Sequence, residues 1–152
     1  MPSTRGEQIN PEQAGNQLPY ELLEAKRFHG HLGPYLAVGL RMGKLICGKF
    51  GDTPFKYRVF TSVGWDPPLS CVIDGLQLAT PGTIGNSMIK VDGSGVVAAW
   101  VENDKGRYLI RLRDDIRKYI DHETTKTNEE QIAVQLWQDP ADRLFEYEEV
   151  SR

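Results

Sequence analysis

The segment His29-Gly30-His31-Leu32-Gly33-Pro34 constrains this chain more than any other. Two glycines weaken a helix. Pro34 cannot occupy a helix interior, because its ring removes an N–H donor and clashes with the preceding turn. The same proline suits the first turn of a helix, where its N–H would have had no partner. The segment therefore divides two helices. One is expected over residues 19–28, opened by Pro19, with Leu22, Ala25 and His29 recurring at helical spacing. The other is expected from Pro34 to about Lys49, ended by Gly51-Asp52. Leu36, Leu40, Gly43 and Cys47 form its stripe, and Val38, Met42, Leu45 and Ile46 widen it, so this helix should be largely buried. Gly39 and Gly43, four positions apart, would let another backbone come close.

Downstream, residues 56–64 alternate β-branched and aromatic residues with polar ones, which predicts a strand. After the loop Trp65-Asp66-Pro67-Pro68, a short helix is expected over residues 70–79, with Ser70 as its N-cap and Thr80-Pro81-Gly82 as its stop. Residues 87–91 and 95–102 read as a hairpin across Asp92-Gly93, and residues 107–112 as a further strand across Asn103-Asp104-Lys105-Gly106. Residues 114–122 and 128–137 read as helices, the second amphipathic through Ile132, Leu136 and Trp137. A last helical turn opens at Asp139-Pro140-Ala141-Asp142, and Leu144, Phe145 and Val150 are expected to pin the C-terminus to the body. This order is α+β, with N-terminal helices packed on a mixed or antiparallel sheet. One domain is expected over residues 18–152, preceded by a polar, flexible arm over residues 1–17.

Composition excludes several functions. With 152 residues, 39% of them hydrophobic, the chain can bury one core. Its longest nearly apolar run, residues 30–46, is interrupted by Arg41 and Lys44 and falls short of the roughly 20 residues that span a bilayer. A net charge of −3 without a basic stripe argues against nucleic-acid binding. No apolar stretch follows Met1, so no secretory signal is read, and a cytoplasmic location is expected. Cys47 and Cys71 would be free thiols there.

The chemistry concentrates in a few residues. Cys71 follows an expected N-cap, where unpaired N–H groups and the positive end of a helix favour a thiolate, both nucleophile and soft metal ligand. His29 and His31 flank a glycine in a turn, where residues two apart can project to one side; in a helix they would point roughly 160° apart. Imidazole with thiolate is a donor set for zinc and other borderline metals. Asp74 shares a helical face with Cys71 and could orient a ligating histidine or accept a proton. The glycine-punctuated loop over residues 80–87, with Thr83, could turn backbone donors toward an anion, although it matches no phosphate-binding pattern. Cys47, on an apolar stripe, reads as core, and His122 as solvated at a helix end.

Taken together, Phe28-His29-Gly30-His31-Leu32-Gly33-Pro34 and the helix through Gly39 and Arg41 resemble the opening motif of the FmdE-like family, which takes its name from a component of formylmethanofuran dehydrogenase. Cys71-Val72-Ile73-Asp74-Gly75-Leu76-Gln77, followed by Thr80-Pro81-Gly82-Thr83-Ile84-Gly85-Asn86, resembles its second motif, and residues 144–150 resemble its ending. The resemblance implies a fold similar to the catalytic domain of glyceraldehyde-3-phosphate dehydrogenase, a groove holding a divalent metal, and a homodimer. Zinc is the first choice of metal, with nickel or iron as alternatives. The matching positions are His29, His31 and Cys71 as metal ligands, Cys71 and Asp74 as catalytic candidates, and Thr83 as a cofactor-binding candidate. The sequence departs from the family in three places. Gly33 stands where cysteine is common, no cysteine lies near Pro81, and a short form without the C-terminal zinc ribbon is expected.

Three functions follow from this reading. The first is a metal-binding accessory protein linked to one-carbon metabolism of the kind used in methanogenesis, working beside a molybdenum or tungsten formylmethanofuran dehydrogenase. The second is an enzyme with Cys71 as nucleophile or with a metal-activated water. The third is a structural dimer whose site has decayed.

Overall fold

Three glycines set how the two central helices meet. A computed structural model describes residues 18–151; the arm expected over residues 1–17 lies outside the described residues. Helix α1 (Tyr20–His29) ends at Gly30, whose φ of +106° turns the chain while its N–H bonds the carbonyl of Lys26 at 2.8 Å. Helix α2 (Pro34–Phe50) opens with Pro34 in its first turn and ends at Gly51, at φ +87°. Strand β1 (Arg58–Thr61) and helix α3 (Cys71–Ala79) follow. A methyl group on Gly39 would lie 2.3 Å from the carbonyl oxygen of Val72, and one on Gly43 would lie 2.4 Å from Cβ of Ala79. One on Gly75 would lie 2.5 Å from the backbone nitrogen of Leu40. Helices α2 and α3 therefore pack backbone against backbone. Gly39 faces Val72 and Gly43 faces Ala79, so the two helices run in the same sense, with their N-terminal ends together.

The remaining elements are β2 (Ile89–Val91), β3 (Ala98–Asn103), β4 (Gly106–Leu112), α4 (Asp114–Glu123), α5 (Glu129–Gln138), α6 (Ala141–Leu144) and β5 (Phe145–Ser151). The sheet order is β2-β1-β3-β4-β5. Strands β1 and β2 are parallel, joined through α3, and the other pairs are antiparallel. Val59, Thr61, Ala99, Val101, Ile110 and Leu112 alternate onto one face and are all buried. All but Thr61 join Leu36, Leu40, Met42, Ile46, Val72 and Leu76 from the helices in one hydrophobic core. Arg41 fixes α5 from the other side. Its guanidinium donates to the carbonyls of Leu136, Trp137 and Asp139 at 2.6–3.0 Å, and so holds the C-terminal end of that helix against α2.

The expected α+β architecture is present, with two corrections to the strand pairing. Asp92-Gly93 does not join a hairpin, because β1 lies between β2 and β3. The backbone N–H of Asp92 bonds the carbonyl of Thr61, so the loop passes the end of β1 and does not pair its own flanks. A local turn signal marks a reversal, whereas the apolar β1 is satisfied only by pairing on both edges. The chain end is also more ordered than expected. Leu144 and Phe145 are buried, but Val150 is exposed, and residues 145–151 form a fifth strand on β4. The hairpin at residues 103–106 is as expected, with Asn103 paired to Gly106. The close contact between α2 and α3 makes a signed prediction. Gly39→Ala will destabilise the protein by about 2 kcal/mol, overpacking outweighing the better helix propensity of alanine. Gly48→Ala, on the same helix with open space around it, will stabilise it by roughly 0.5–1 kcal/mol. Chemical denaturation of both variants measures the pair of signs.

Candidate metal centre

The end shared by α2 and α3 is where the chemistry gathers. His29 is the last residue of α1, Gly30 reverses the chain, and the fully buried Leu32 anchors the turn that carries His31. The two imidazole rings lie with centroids 5.0 Å apart. Cys71 is the first residue of α3, and the parallel packing of α3 on α2 brings it to the same end. Potential ligand atoms of His29, His31 and Cys71 all lie within 4.8 Å of one another. The histidines differ in access: the His29 side chain is 14% exposed and that of His31 is 55% exposed.

Carboxylates stand behind both rings. Nδ1 of His29 lies 2.6 Å from Oδ2 of Asp74, the hydrogen bond that the shared helical face made plausible. Donation from Nδ1 leaves the lone pair on Nε2, which is the arrangement of a metal-binding imidazole held by a carboxylate. The other oxygen of Asp74 accepts from Gln77 at 3.2 Å, and Gln77 in turn accepts the N–H of Ile84 at 2.9 Å. Sequence reasoning missed the second carboxylate. Glu129, the first residue of α5, places Oε1 3.3 Å from Nδ1 of His31. The same oxygen lies 3.1 Å from where a side chain on Gly33 would begin. Nothing in the local pattern around Glu129 signals this, since an acid in a first helical turn is ordinary.

The structure corrects the expected thiolate at Cys71. Burial pushes its thiol above the ordinary range and the negative charge of Asp74 adds to that; a backbone hydrogen bond opposes them, and Glu129 adds the least. The helix end offers fewer free donors than its position suggests. The N–H groups of Cys71, Val72 and Ile73 already bond the carbonyls of Pro68, Leu69 and Ser70 at 2.9–3.1 Å, and Ser70 makes no side-chain cap.

The other candidates lie in different settings. Thr83 accepts the N–H of Asn86 at 2.9 Å, within a loop whose donors at Gly82, Thr83, Ile84 and Met88 are taken by Thr80, Asn86 and Gln77 side chains. Thr83 lines neither hollow beside the cluster. Cys47 donates to the carbonyl of Ala79, and His122 is exposed. The cluster itself separates a cleft of about 840 Å³ from a second hollow of about 510 Å³.

Comparison with known proteins gives three results. Residues 28–151 match the FmdE family, described as "Molybdenum formylmethanofuran dehydrogenase operon". A "Probable S-adenosyl-L-methionine-binding protein" of Archaeoglobus fulgidus is 34% identical over 125 residues, which is 77% of this chain and 32% of the relative. The chain thus spans about a third of that relative's length. The crystal structure of an FmdE-like protein of the tungsten formylmethanofuran dehydrogenase type, from Syntrophus aciditrophicus, shares the fold, with a TM-score of 0.60 and 19% identity over 86% of this chain and 70% of that one.

The raised thiol has a measurable consequence. Alkylation of Cys71 in metal-free Cys47→Ser protein will be slow at neutral pH. It will accelerate with a midpoint above that of a free thiol, since only the thiolate reacts. Asp74→Asn, which removes the stronger of the two negative charges acting on the thiol, will lower that midpoint.

Proposed function

This chain belongs to the FmdE family, and from that premise we propose that it is a metal-binding protein whose divalent ion is held by His29, His31 and Cys71. The observation that carries this reading is the convergence of two imidazoles and one thiol within 4.8 Å. Asp74 bonded to His29 supports it. The donor set fits zinc first, and nickel or iron next, because borderline metals accept nitrogen and thiolate together. A bound ion would stabilise the Cys71 thiolate against Asp74 and Glu129 and supply Lewis acidity at the cluster. Three protein ligands leave a coordination position for water or an organic donor. Asp74 and Glu129 would orient His29 and His31 and offset the ion's charge.

The finer parts of the proposal are the homodimer, a cytoplasmic setting, and a role beside a molybdenum or tungsten formylmethanofuran dehydrogenase in one-carbon metabolism of the methanogenic kind. The link to formylmethanofuran dehydrogenase rests on the family description, and the homodimer, the methanogenic setting and the cytoplasmic location are carried over from the expectations of the sequence. Thr83 enters as a brace of the loop that holds Gln77. A second reading, an enzyme with Cys71 as a free nucleophile, is less favoured because the metal-free thiol is raised, not activated.

Metal titration of protein freed of metal tests the proposal. Wild type will bind one zinc per chain. Cys71→Ala and His31→Ala will each lose at least about a hundredfold in affinity, and Asp74→Asn roughly 10–100-fold. Equal binding by Cys71→Ala and wild type would falsify the site. Because Cys71 must lose a proton to ligate, affinity will rise with pH up to the thiol's raised midpoint. Sedimentation of the protein at twice 17.2 kDa is the expected result for the homodimer.

A further inference from the structure

The large cleft has a chemistry that the metal reading leaves unexplained. Its volume of about 840 Å³ falls in the roughly 300–1,000 Å³ range of small-molecule sites. One end is the cluster of His31, Cys71 and Glu129. Val63, Leu69, Ile120 and the prolines 67 and 68 supply an apolar lining. Trp65 also lines the cleft and is 61% exposed, an indole that combines contact with the cleft and access to solvent. The far end is polar but internally neutralised. Tyr35 donates to Asp121 at 2.5 Å, and Arg117 donates to the carbonyl of Gly95 at 3.0 Å while lying 3.6 Å from Asp121. Arg117 is the one Lys or Arg among the described residues that line the cleft, against Asp66, Asp121 and Glu129.

Three features define an occupant. An exposed indole with an apolar lining favours a flat ring system. A cluster with a free coordination position favours a nitrogen or sulfur donor at one end of that ring. A cleft with more carboxylates than cations, whose lone guanidinium is already engaged, disfavours phosphates and other polyanions. We propose that this cleft binds a neutral or cationic heteroaromatic small molecule that lies against Trp65 and directs one donor atom to the metal. The assignment rests on the metal reading above and adds to it the class of ligand.

Cobalt-loaded protein, titrated with imidazole and with 4-phenylimidazole and followed by the visible spectrum of the metal, tests it. Both probes offer the same donor atom, so their difference reads the cleft. The phenyl compound will bind at least about tenfold more tightly. Trp65→Ala will bring the two to within about threefold while leaving cobalt and imidazole binding unchanged. Phenyl phosphate will show no comparable binding. Equal affinities in wild type, an advantage untouched by Trp65→Ala, or tight binding of phenyl phosphate would each overturn the proposal. So would dissociation of a dimer by Trp65→Ala, which would assign the indole to an interface between two copies of the chain. If cobalt does not bind, the function reading fails first. The cleft is then read in metal-free protein by quenching of the fluorescence that Trp65→Phe removes. Quenching by 4-phenylimidazole keeps the apolar half of the proposal, and its absence overturns the whole.

Discussion

Everything that places chemistry in this molecule depends on how closely α2 and α3 approach. Gly39, Gly43 and Gly75 remove the side chains that would hold the helices apart, and a carbonyl, a methyl group and a backbone nitrogen come into the three gaps. Helices in such contact have little freedom to slide, because a shift of one residue would bring Cβ atoms into backbone. Their shared direction puts the entry to α2 beside the entry to α3. The HxH turn and Cys71 are far apart in the chain, and this contact makes them neighbours. The β1–α3–β2 crossover then ties α3 to the sheet, so the fold that buries the core also sets the distances at the cluster.

Electrostatics at the cluster suit a cation. Asp74 and Glu129 face it from two different helices, and each touches one imidazole. In the absence of positive charge, burial and then these carboxylates make a thiolate at Cys71 costly. A divalent ion reverses that sign, because the same carboxylates then stabilise what they had opposed. Arg41 matters here at a distance. By closing the C-terminal end of α5 against α2, it holds the helix whose first residue is Glu129.

Much of this was legible in local sequence, and the rest was not for definite reasons. Pro34 and the glycines around it announced the break between α1 and α2, since backbone chemistry alone decides it. Gly39 and Gly43 announced a close approach, but not the partner, which needed Gly75 from another helix. Asp92-Gly93 announced a turn and not its topology, because pairing of β1 on both edges is a property of the whole sheet. The fifth strand was missed because its burial alternates weakly: Phe145 is buried while Tyr147 and Val150 are exposed. At the site, His29, His31, Cys71 and Asp74 stood out by residue type and spacing. Glu129 did not, because its meaning comes only from a contact across the fold. The thiolate expected at Cys71 failed because burial, and then the charge of Asp74, outweigh what a helix N-terminus offers, and neither is visible in local sequence.

The unequal exposure of the two histidines bears on time as well as on affinity. His29 is enclosed and fixed by Asp74, whereas His31 sits at the surface on a glycine-flanked turn. A competing chelator or an arriving ion meets His31 first. Exchange at a centre so built would proceed by opening one surface ligand while the inner pair keeps its hold, and the kinetics of gaining and losing an ion would then belong to the turn and not to the core. The helix packing would then govern how tightly an ion is held, and a single exposed imidazole how fast it is exchanged.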